Sequence, residues 1–143
     1  MYNRVARPFS IIEPTNSWTY NSATFRPFNG TNTNTVEYVV GLVEDMLFLH
    51  CQATALCTGA AYTAVIGIGV DSETVSTPTI ACFGATATAV HSQPMVMFSD
   101  YPLLGFQYLF MLEASIVGTV AVIFYGDNGV TYQQSGGYGW IYA

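Results

Sequence analysis

The chain contains no lysine, and its three arginines, Arg4, Arg7 and Arg26, all lie within the first 26 residues. From residue 27 to residue 143 the chain has eight acidic residues and no fixed positive charge. Charged residues make up 8% of the sequence, whereas a typical soluble domain has about 25%. A surface so poor in charge is usually covered by something else, so we interpret the chain first as a subunit of an assembly.

The shortage of positive charge also excludes a class of partner. The formal net charge is −6 and the sequence pI is about 4.4. Nucleic-acid binding depends on Lys and Arg side chains that neutralise phosphates, and Arg4 and Arg7 are too few for that task. We therefore expect protein partners and no nucleic acid.

Apolar residues are the counterpart of the missing charges. They make up 51% of the 143 residues, and aromatic residues make up 15%. A chain of this length forms one domain with a single core, and that core cannot bury so much apolar surface. The surplus predicts subunit interfaces, because obligate interfaces resemble a domain core cut in half.

Cysteine is scarce as well. Cys51, Cys57 and Cys82 are an odd number without CxxC spacing, which argues against a disulfide framework. We expect them to be small buried apolar side chains, and a single Cys51–Cys57 bridge across a hairpin remains an alternative.

Membrane and export signals are also missing. The N-terminal residues lack the apolar stretch of a signal peptide. Residues 102–126 are long and apolar, but Glu113 lies in their middle, Gly118-Thr119 is typical of a turn, and no Lys or Arg flanks either end. These features favour two consecutive buried strands over a membrane span, so no membrane partner is expected.

Alternating apolar residues and closely spaced turn signals predict an all-β chain. Strands are predicted at residues 60–70, 80–90, 94–98, 105–115 and 118–126, followed by a hairpin turn at Asp127–Gly129, where Asn-Gly accepts positive φ angles. Together with shorter segments they give about eight antiparallel strands, the pattern of a sandwich or barrel.

Two segments are harder to interpret. Residues 36–54 fit a hairpin, because they are rich in β-branched residues and contain Gly41, but their apolar spacing also fits a helix. Residues 1–35 are irregular and rich in Pro and Asn, which predicts an extended arm with short edge strands. The domain division is therefore an arm at 1–35 and a β-domain at 36–143.

Four stretches carry a resemblance to a known family. They are YVVGLVED (Tyr38–Asp45), VIGIGVDS (Val65–Ser72), GFQYLFMLEAS through GTVAVIFYGDNG (Gly105–Gly129) and QSGGYGWIYA (Gln134–Ala143). Together they resemble the jelly-roll domains of tailed-phage fibres and head decorations, over residues 36–143. The resemblance implies a jelly-roll β-sandwich, a homotrimer, contacts with other virion proteins and a place on the outside of the particle.

No sequence motif of an enzyme occurs. The chain lacks GxSxG, HExxH, P-loop and dinucleotide-binding patterns. On a strand the adjacent His50 and Cys51 point to opposite faces, so they cannot form a nucleophilic pair, and nothing in the sequence brings His91 near them. Acidic turn residues such as Asp71 and Glu73 lack the spacing of a calcium loop. We expect no catalytic residue, no metal and no cofactor.

Glu113 is the most informative single residue, because an unpaired carboxylate inside an apolar strand is costly. Its fixed-charge partner must be Arg4, Arg7 or Arg26, since the chain has no other. We hypothesise that the N-terminal segment folds back, or crosses to a neighbouring subunit, and that these residues contribute to assembly.

The C-terminal aromatics form the second candidate group: Tyr132, Tyr138, Trp140 and Tyr142. Aromatic rings among glycines can stack on sugars, and they can equally pack a closing strand or an interface. The resemblance to phage jelly-roll domains implies as the preferred function a virion structural subunit that acts through trimeric assembly. The alternative is a fibre-tip domain that binds a host receptor or surface glycan through these rings.

Overall fold

The computed structural model describes residues 5–43, 46–57, 62–78, 80–85, 90–101, 103–116, 122–127 and 134–142. These residues form β1 (Ala6–Ile12), β2 (Ser17–Tyr20), β3 (Arg26–Pro27), β4 (Thr35–Val40), β5 (Leu47–Gln52), β6 (Thr54–Cys57), β7 (Tyr62–Val70), β8 (Ile80–Ala85), β9 (Val90–Ser92), β10 (Met95–Asp100), β11 (Gly105–Ile116), β12 (Val122–Tyr125) and β13 (Gly136–Tyr142). The described residues contain one 3-10 turn, Phe28–Gly30, and no α-helix. The all-β prediction is confirmed.

The strands form three sheets in which every strand pairing is antiparallel. Sheet A has the order β1-β13-β5-β10 and sheet B the order β2-β12-β6-β9. Sheet C has the order β3-β11-β7-β8, and β4 also pairs with β11.

Sheets A and B continue each other end to end. β5 and β6 are separated only by Ala53, and their neighbours follow in the same order in both sheets. Backbone hydrogen bonds close the junction: Glu13 N donates to Ser135 O at 3.0 Å, and Ala53 N donates to Pro94 O at 3.1 Å. The Ser135 hydroxyl accepts from Thr54 N at 3.0 Å. We call the combined sheets the long layer.

Counted through the junction, the described residues form eight long strands. They are β1 with β2, β3 with β4, β5 with β6, β7, β8, β9 with β10, β11, and β12 with β13. The long layer has the order first, eighth, third, sixth, and sheet C has the order second, seventh, fourth, fifth. About eight strands were predicted, whereas the described residues form thirteen, because five of the long strands are each interrupted once.

The core lies between the long layer and sheet C. Alternation places Leu47, Leu49 and Cys51 of β5 on its inner face, where they are fully or almost fully buried. They belong to one cluster with Ile66 of β7 and Met111 of β11. Each large apolar side chain so buried contributes about 1.5–3 kcal/mol to folding, so this shared core holds the two layers together as a β-sandwich.

The structure corrects the prediction for residues 36–54. They form strands and no helix within the described part, but β4 pairs with β11 in sheet C, whereas β5 pairs with β13 and β10 in sheet A. They therefore cross between layers and do not form a hairpin. β11 and β12, predicted as consecutive strands with a turn between them, also lie in different sheets, C and B, and do not form a hairpin. Of the predicted hairpin turn at 127–129, only Asp127 lies within the described residues.

The N-terminal segment is part of the sandwich. β1 pairs with β13, β2 with β12 and β3 with β11, so residues 6–27 supply an edge strand to each sheet. Edge strands were predicted for this segment, but a boundary at residue 35 does not separate it from the body. Its polar and Pro-rich composition hid strands that depend on pairing with distant parts of the chain.

The cysteines are free. Cys51 and Cys57 are buried as predicted, while Cys82 is exposed, contrary to the prediction. Cys51 and Cys57 follow each other along one long strand, six residues apart. At about 3.3 Å per residue this separates them by roughly 20 Å, far beyond the about 7 Å that a disulfide can span between Cα atoms.

Gly139 tests the packing of sheet A. A Cβ placed on it would lie 2.0 Å from Phe48 O and 2.7 Å from Phe9 Cζ. We expect Gly139→Ala to lower the free energy of unfolding by about 1–3 kcal/mol, because the backbone must shift to admit the methyl group. Urea denaturation measures the effect.

The matched control is Gly41→Ala, since a Cβ on Gly41 meets no atom within 4 Å. Its effect is expected to stay within about 0.5 kcal/mol. Equal effects of the two substitutions would show that the described contact between β13 and β5 is wrong.

Candidate assembly surface

The outward-facing side of sheet A is an uncharged surface that includes large apolar side chains. Register and alternation place on it the following residues of the four strands: Ala6, Pro8, Ser10, Ile12, Gly136, Tyr138, Trp140, Tyr142, Phe48, His50, Gln52, Met95, Met97 and Ser99. None of them is an Asp, Glu, Lys or Arg. We call this surface the outer face of sheet A.

Aromatic pairs across β13 and β5 form the centre of this face. Trp140 lies opposite Phe48, and their ring centroids are 4.3 Å apart with planes 21° from parallel. Tyr138 lies opposite His50 with centroids 4.6 Å apart. Aromatic pairs prefer a small set of relative orientations, so these rings fix one another's positions at the centre of the face.

The side chains near the β10 edge protrude into solvent. Met95 is 60% exposed and Met97 is 61% exposed, while Tyr138 is 53% exposed. Met97 and Tyr138 lie in one row on either side of His50, so this part of the face leaves apolar surface in contact with water. Exposed apolar surface of this kind marks interaction sites in soluble proteins.

His50 does not add charge to this face. It is 8% exposed, and its Nδ1 atom has no hydrogen-bond partner among the described residues. Burial lowers the pKa of His50 below its ordinary value, because the charged imidazolium loses hydration. The imidazole is therefore neutral at neutral pH, and it packs as an aromatic ring.

The second predicted group centres on Glu113, which points into the core from β11 and is fully buried. Arg26 lies opposite it in the register of β3 and β11. The Arg26 Nε and Nη2 atoms each lie 2.8 Å from Glu113 Oε1, and Trp18 Nε1 donates to Glu113 Oε2 at 2.6 Å. Trp18 belongs to sheet B, so this carboxylate bonds to both layers.

The partners of Glu113 are themselves fixed by packing. The Trp18 ring stacks on Phe124 at 5.8 Å between centroids. The Arg26 guanidinium carbon lies 3.8 Å from the centre of the Tyr20 ring, a cation–π contact. The pairing of Glu113 with an N-terminal arginine thus occurs within one chain, and a role of these residues in assembly stays a prediction.

Burial raises the pKa of Glu113 to about 7, although hydrogen bonds from Trp18 and the Arg26 charge act in the opposite direction. Desolvation disfavours the carboxylate form, and Arg26 is only partly buried, at 31% exposure of its side chain. Glu113 therefore takes up a proton much more readily than an exposed glutamate.

Glu13 is a second buried carboxylate that sequence reasoning missed. It is 1% exposed and accepts hydrogen bonds from Thr15 N at 3.0 Å, from Asn29 Nδ2 at 3.2 Å and from Asn34 Nδ2. Burial alone would raise its pKa, but these hydrogen bonds together lower it. Two of the donors, Asn29 and Asn34, come from the Asn-rich end of the N-terminal segment.

The other predicted site residues divide into three groups. Arg4 and Tyr132 lie outside the described residues. Arg7 is exposed on β1, apart from Glu113. Tyr138, Trp140 and Tyr142 share the outer face of sheet A.

Met95, Met97 and Phe48 complete that face but were not predicted as site residues. The alternation in PMVMF and MLFLHCQ is the signal that could have found them.

The histidines and the cysteine considered from the sequence as a catalytic group do not share a site. Cys51 faces the core while its neighbour His50 faces outward, as alternation predicts, and His91 lies on β9 in sheet B. In the described ranges no cluster of three or more His, Cys, Asp or Glu residues could hold a metal ion. No described helix could cross a membrane.

Comparison with known proteins does not assign the chain to a family. No protein-family model matches the chain, and a search of curated proteins found no similar sequence.

The raised pKa of Glu113 predicts a specific pH dependence of stability. Its folded-state pKa of about 7 lies above the ordinary glutamate pKa of 4.5, so the folded state binds the proton more tightly. The resulting stabilisation is present below about pH 4.5 and is lost as the pH rises through 7. Relative to Glu113→Gln, the wild type should lose on the order of 3 kcal/mol of unfolding free energy between pH 4.5 and 7.5.

Urea denaturation of both proteins across this range measures that difference. Glu37→Gln, in an exposed position on β4, is the control and should change stability by less than about 0.5 kcal/mol throughout. A wild-type advantage over Glu113→Gln that stays constant, or grows, with rising pH would contradict the assignment.

Proposed function

We propose that this protein is a structural subunit of a phage particle, a decoration, head-fibre or tail-fibre component, that acts through trimeric assembly on the exterior of the virion. It binds other virion proteins and catalyses no reaction. The observation that carries the proposal is the uncharged, partly exposed outer face of sheet A, in a chain with 8% charged residues.

The strand order supports a jelly roll as the fold of this subunit. In a jelly roll, a long hairpin of eight strands is rolled up, so that the first strand lies beside the eighth, the second beside the seventh, the third beside the sixth and the fourth beside the fifth. All four neighbour relations occur among the eight long strands. Jelly rolls are common in viral shells and decorations, although a fold alone does not assign a function.

The open edges of sheet A also support a role in assembly. β1 and β10 are the outermost strands of sheet A. Exposed edges are usually protected by lysines or other charges, because they otherwise pair with further strands. This chain has no lysine, and Met95 and Met97 on β10 are exposed. Contact with neighbouring subunits protects such edges and buries the apolar face.

Met97→Asp tests the role of the face. A charge in an apolar interface is costly to bury, so we expect the protein concentration at which half of the trimer dissociates to rise at least about tenfold. Sedimentation velocity over a dilution series gives this value. Because Met97 is 61% exposed, the fold itself should tolerate the change.

Val75→Asp is the matched control, since Val75 is similarly exposed, at 65%, but lies in the loop after β7. It should leave assembly unchanged. If Met97→Asp assembles as well as the wild type, the outer face of sheet A is not the interface.

Glycan binding is a second candidate function, favoured by a cavity beside Tyr138. The cavity has a volume of about 180 Å³ and is lined by Ser10, Gln52 and Gln134 among others. Amide and hydroxyl groups beside an exposed aromatic ring are the chemistry that binds a neutral sugar. The Trp140 ring is less suitable, because Phe48 stacks against it.

This candidate predicts that the wild-type assembly is retained on a glycan array and that Tyr138→Ala abolishes retention, with Phe106→Ala as the control. Phe106 is also exposed, at 54%, but lies on β11 in sheet C, away from this cavity. Absence of retention with an intact assembly would reject glycan binding and leave the structural role in place.

A further inference from the structure

The two described arginines have different surroundings. Arg26 is bound to Glu113 inside the fold. Arg7 is exposed on β1, at an edge of sheet A. In a chain with nine acidic residues and three arginines, an exposed guanidinium at a strand edge is the cationic group that can select a partner.

Arg7 lies level with an acidic residue at the opposite edge of the same sheet. The register places Arg7 opposite Ile141, Ile141 opposite Leu47, and Leu47 opposite Asp100. These four residues form one row across sheet A, from the β1 edge to the β10 edge. Asp100 is exposed at the end of β10.

Asp100 lines a cleft that suits a guanidinium group. The cleft has a volume of about 360 Å³, and its lining includes Asp71, Tyr38, Phe98 and Tyr101. Carboxylates give a guanidinium charge-assisted hydrogen bonds, and aromatic rings stack on its plane. Neither Arg7 nor Arg26 lines this cleft.

The cleft is fixed in shape and negative in potential. Asp71 is held by two bonds to Tyr108: Tyr108 N donates to Asp71 Oδ1 at 2.8 Å, and Asp71 N donates to Tyr108 O at 2.9 Å. Tyr38 donates to Gln107 Oε1 at 2.9 Å. Burial raises the pKa of Tyr38 to about 12, and the charges of Asp71 and Asp100 contribute to that rise.

Cyclic symmetry makes the common row significant. When a ring forms around an axis parallel to the strands, one edge of each subunit meets the opposite edge of the next, and the contacting residues lie at the same height along the axis. Arg7 and Asp100 satisfy this condition, because they lie in one row at opposite edges.

We propose that Arg7 on the β1 edge of one subunit enters the cleft formed by Asp100 and Asp71 on the next copy of this chain, closing the ring head to tail. The inference rests on the proposed trimer and adds which edges meet and which charges select them. The outer face of sheet A contributes apolar area, while this contact sets orientation, as charged pairs commonly do at interfaces.

A charge-swap experiment on the full chain tests the contact. Arg7→Glu and Asp100→Arg each place like charges together, so each should raise the dissociation concentration of the trimer at least about tenfold. The double variant Arg7→Glu with Asp100→Arg restores an opposite pair at every contact and should return this concentration to within about threefold of the wild-type value. Sedimentation velocity and native mass spectrometry give the values.

The control is Glu37→Arg, which changes net charge by the same amount as Asp100→Arg at an exposed position outside the row. It should leave the trimer intact. Circular dichroism checks that each variant is folded, and Arg7→Gln with Asp100→Asn repeats the test without repulsion if a reversal unfolds the chain.

The outcomes separate this inference from the proposed function. Trimers that tolerate both reversals, a double variant that does not recover, or a Glu37→Arg effect as large as that of Asp100→Arg each overturn the Arg7–Asp100 contact and leave a trimeric subunit in place. A wild-type chain that is monomeric overturns the proposed function and this inference together.

Discussion

The buried carboxylate of Glu113 is the interaction on which the rest of this structure depends. Glu113 lies on the inner face of β11, and its two oxygens bond to Trp18 of the long layer and to Arg26 of sheet C. Because Trp18 and Arg26 belong to different layers and both lie in the N-terminal segment, one side chain links the two layers and the N-terminal strands. Arg26→Glu would therefore disturb the fold before it could report on assembly.

This internal use of Arg26 shapes the outside of the molecule. With Arg26 occupied and no lysine in the chain, Arg7 is the exposed cation of the described surface, and the outer face of sheet A has no charge. An uncharged apolar face supplies binding area with little specificity, whereas a single cation facing an acidic cleft supplies orientation. In the proposed trimer, the outer face of sheet A provides the buried apolar area, and the contact between the β1 and β10 edges sets the orientation of the subunits.

The positions of several strands could be predicted from the sequence, but their pairing partners could not. Alternation of apolar and polar residues predicted β7 and β11, because a strand with one buried face places an apolar residue at every second position. It could not show that β4 and β5 enter different layers, since pairing depends on contacts far apart in sequence. Proline and polar residues interrupt the alternation of the N-terminal strands β1 and β2. These strands form because they pair with β13 and β12. Glu113 was identified because a carboxylate in an apolar strand needs a partner. Glu13 was missed because it is followed by Pro14 and polar residues, which do not suggest burial, and two of its donors, Asn29 and Asn34, lie well away in the sequence. Alternation in residues 94–98 separates Met95 and Met97 from Val96, but which of the two faces is the exposed one depends on how β10 packs.

The central claim is that this chain functions as a trimer, and the native mass of the wild-type protein tests it most directly. Native mass spectrometry at micromolar concentration and moderate ionic strength should give three times the chain mass of 15.5 kDa, with no even-numbered species dominating. A stable species of 15.5 kDa under these conditions would contradict the claim, because the outer face of sheet A and its open edges would then remain exposed to water.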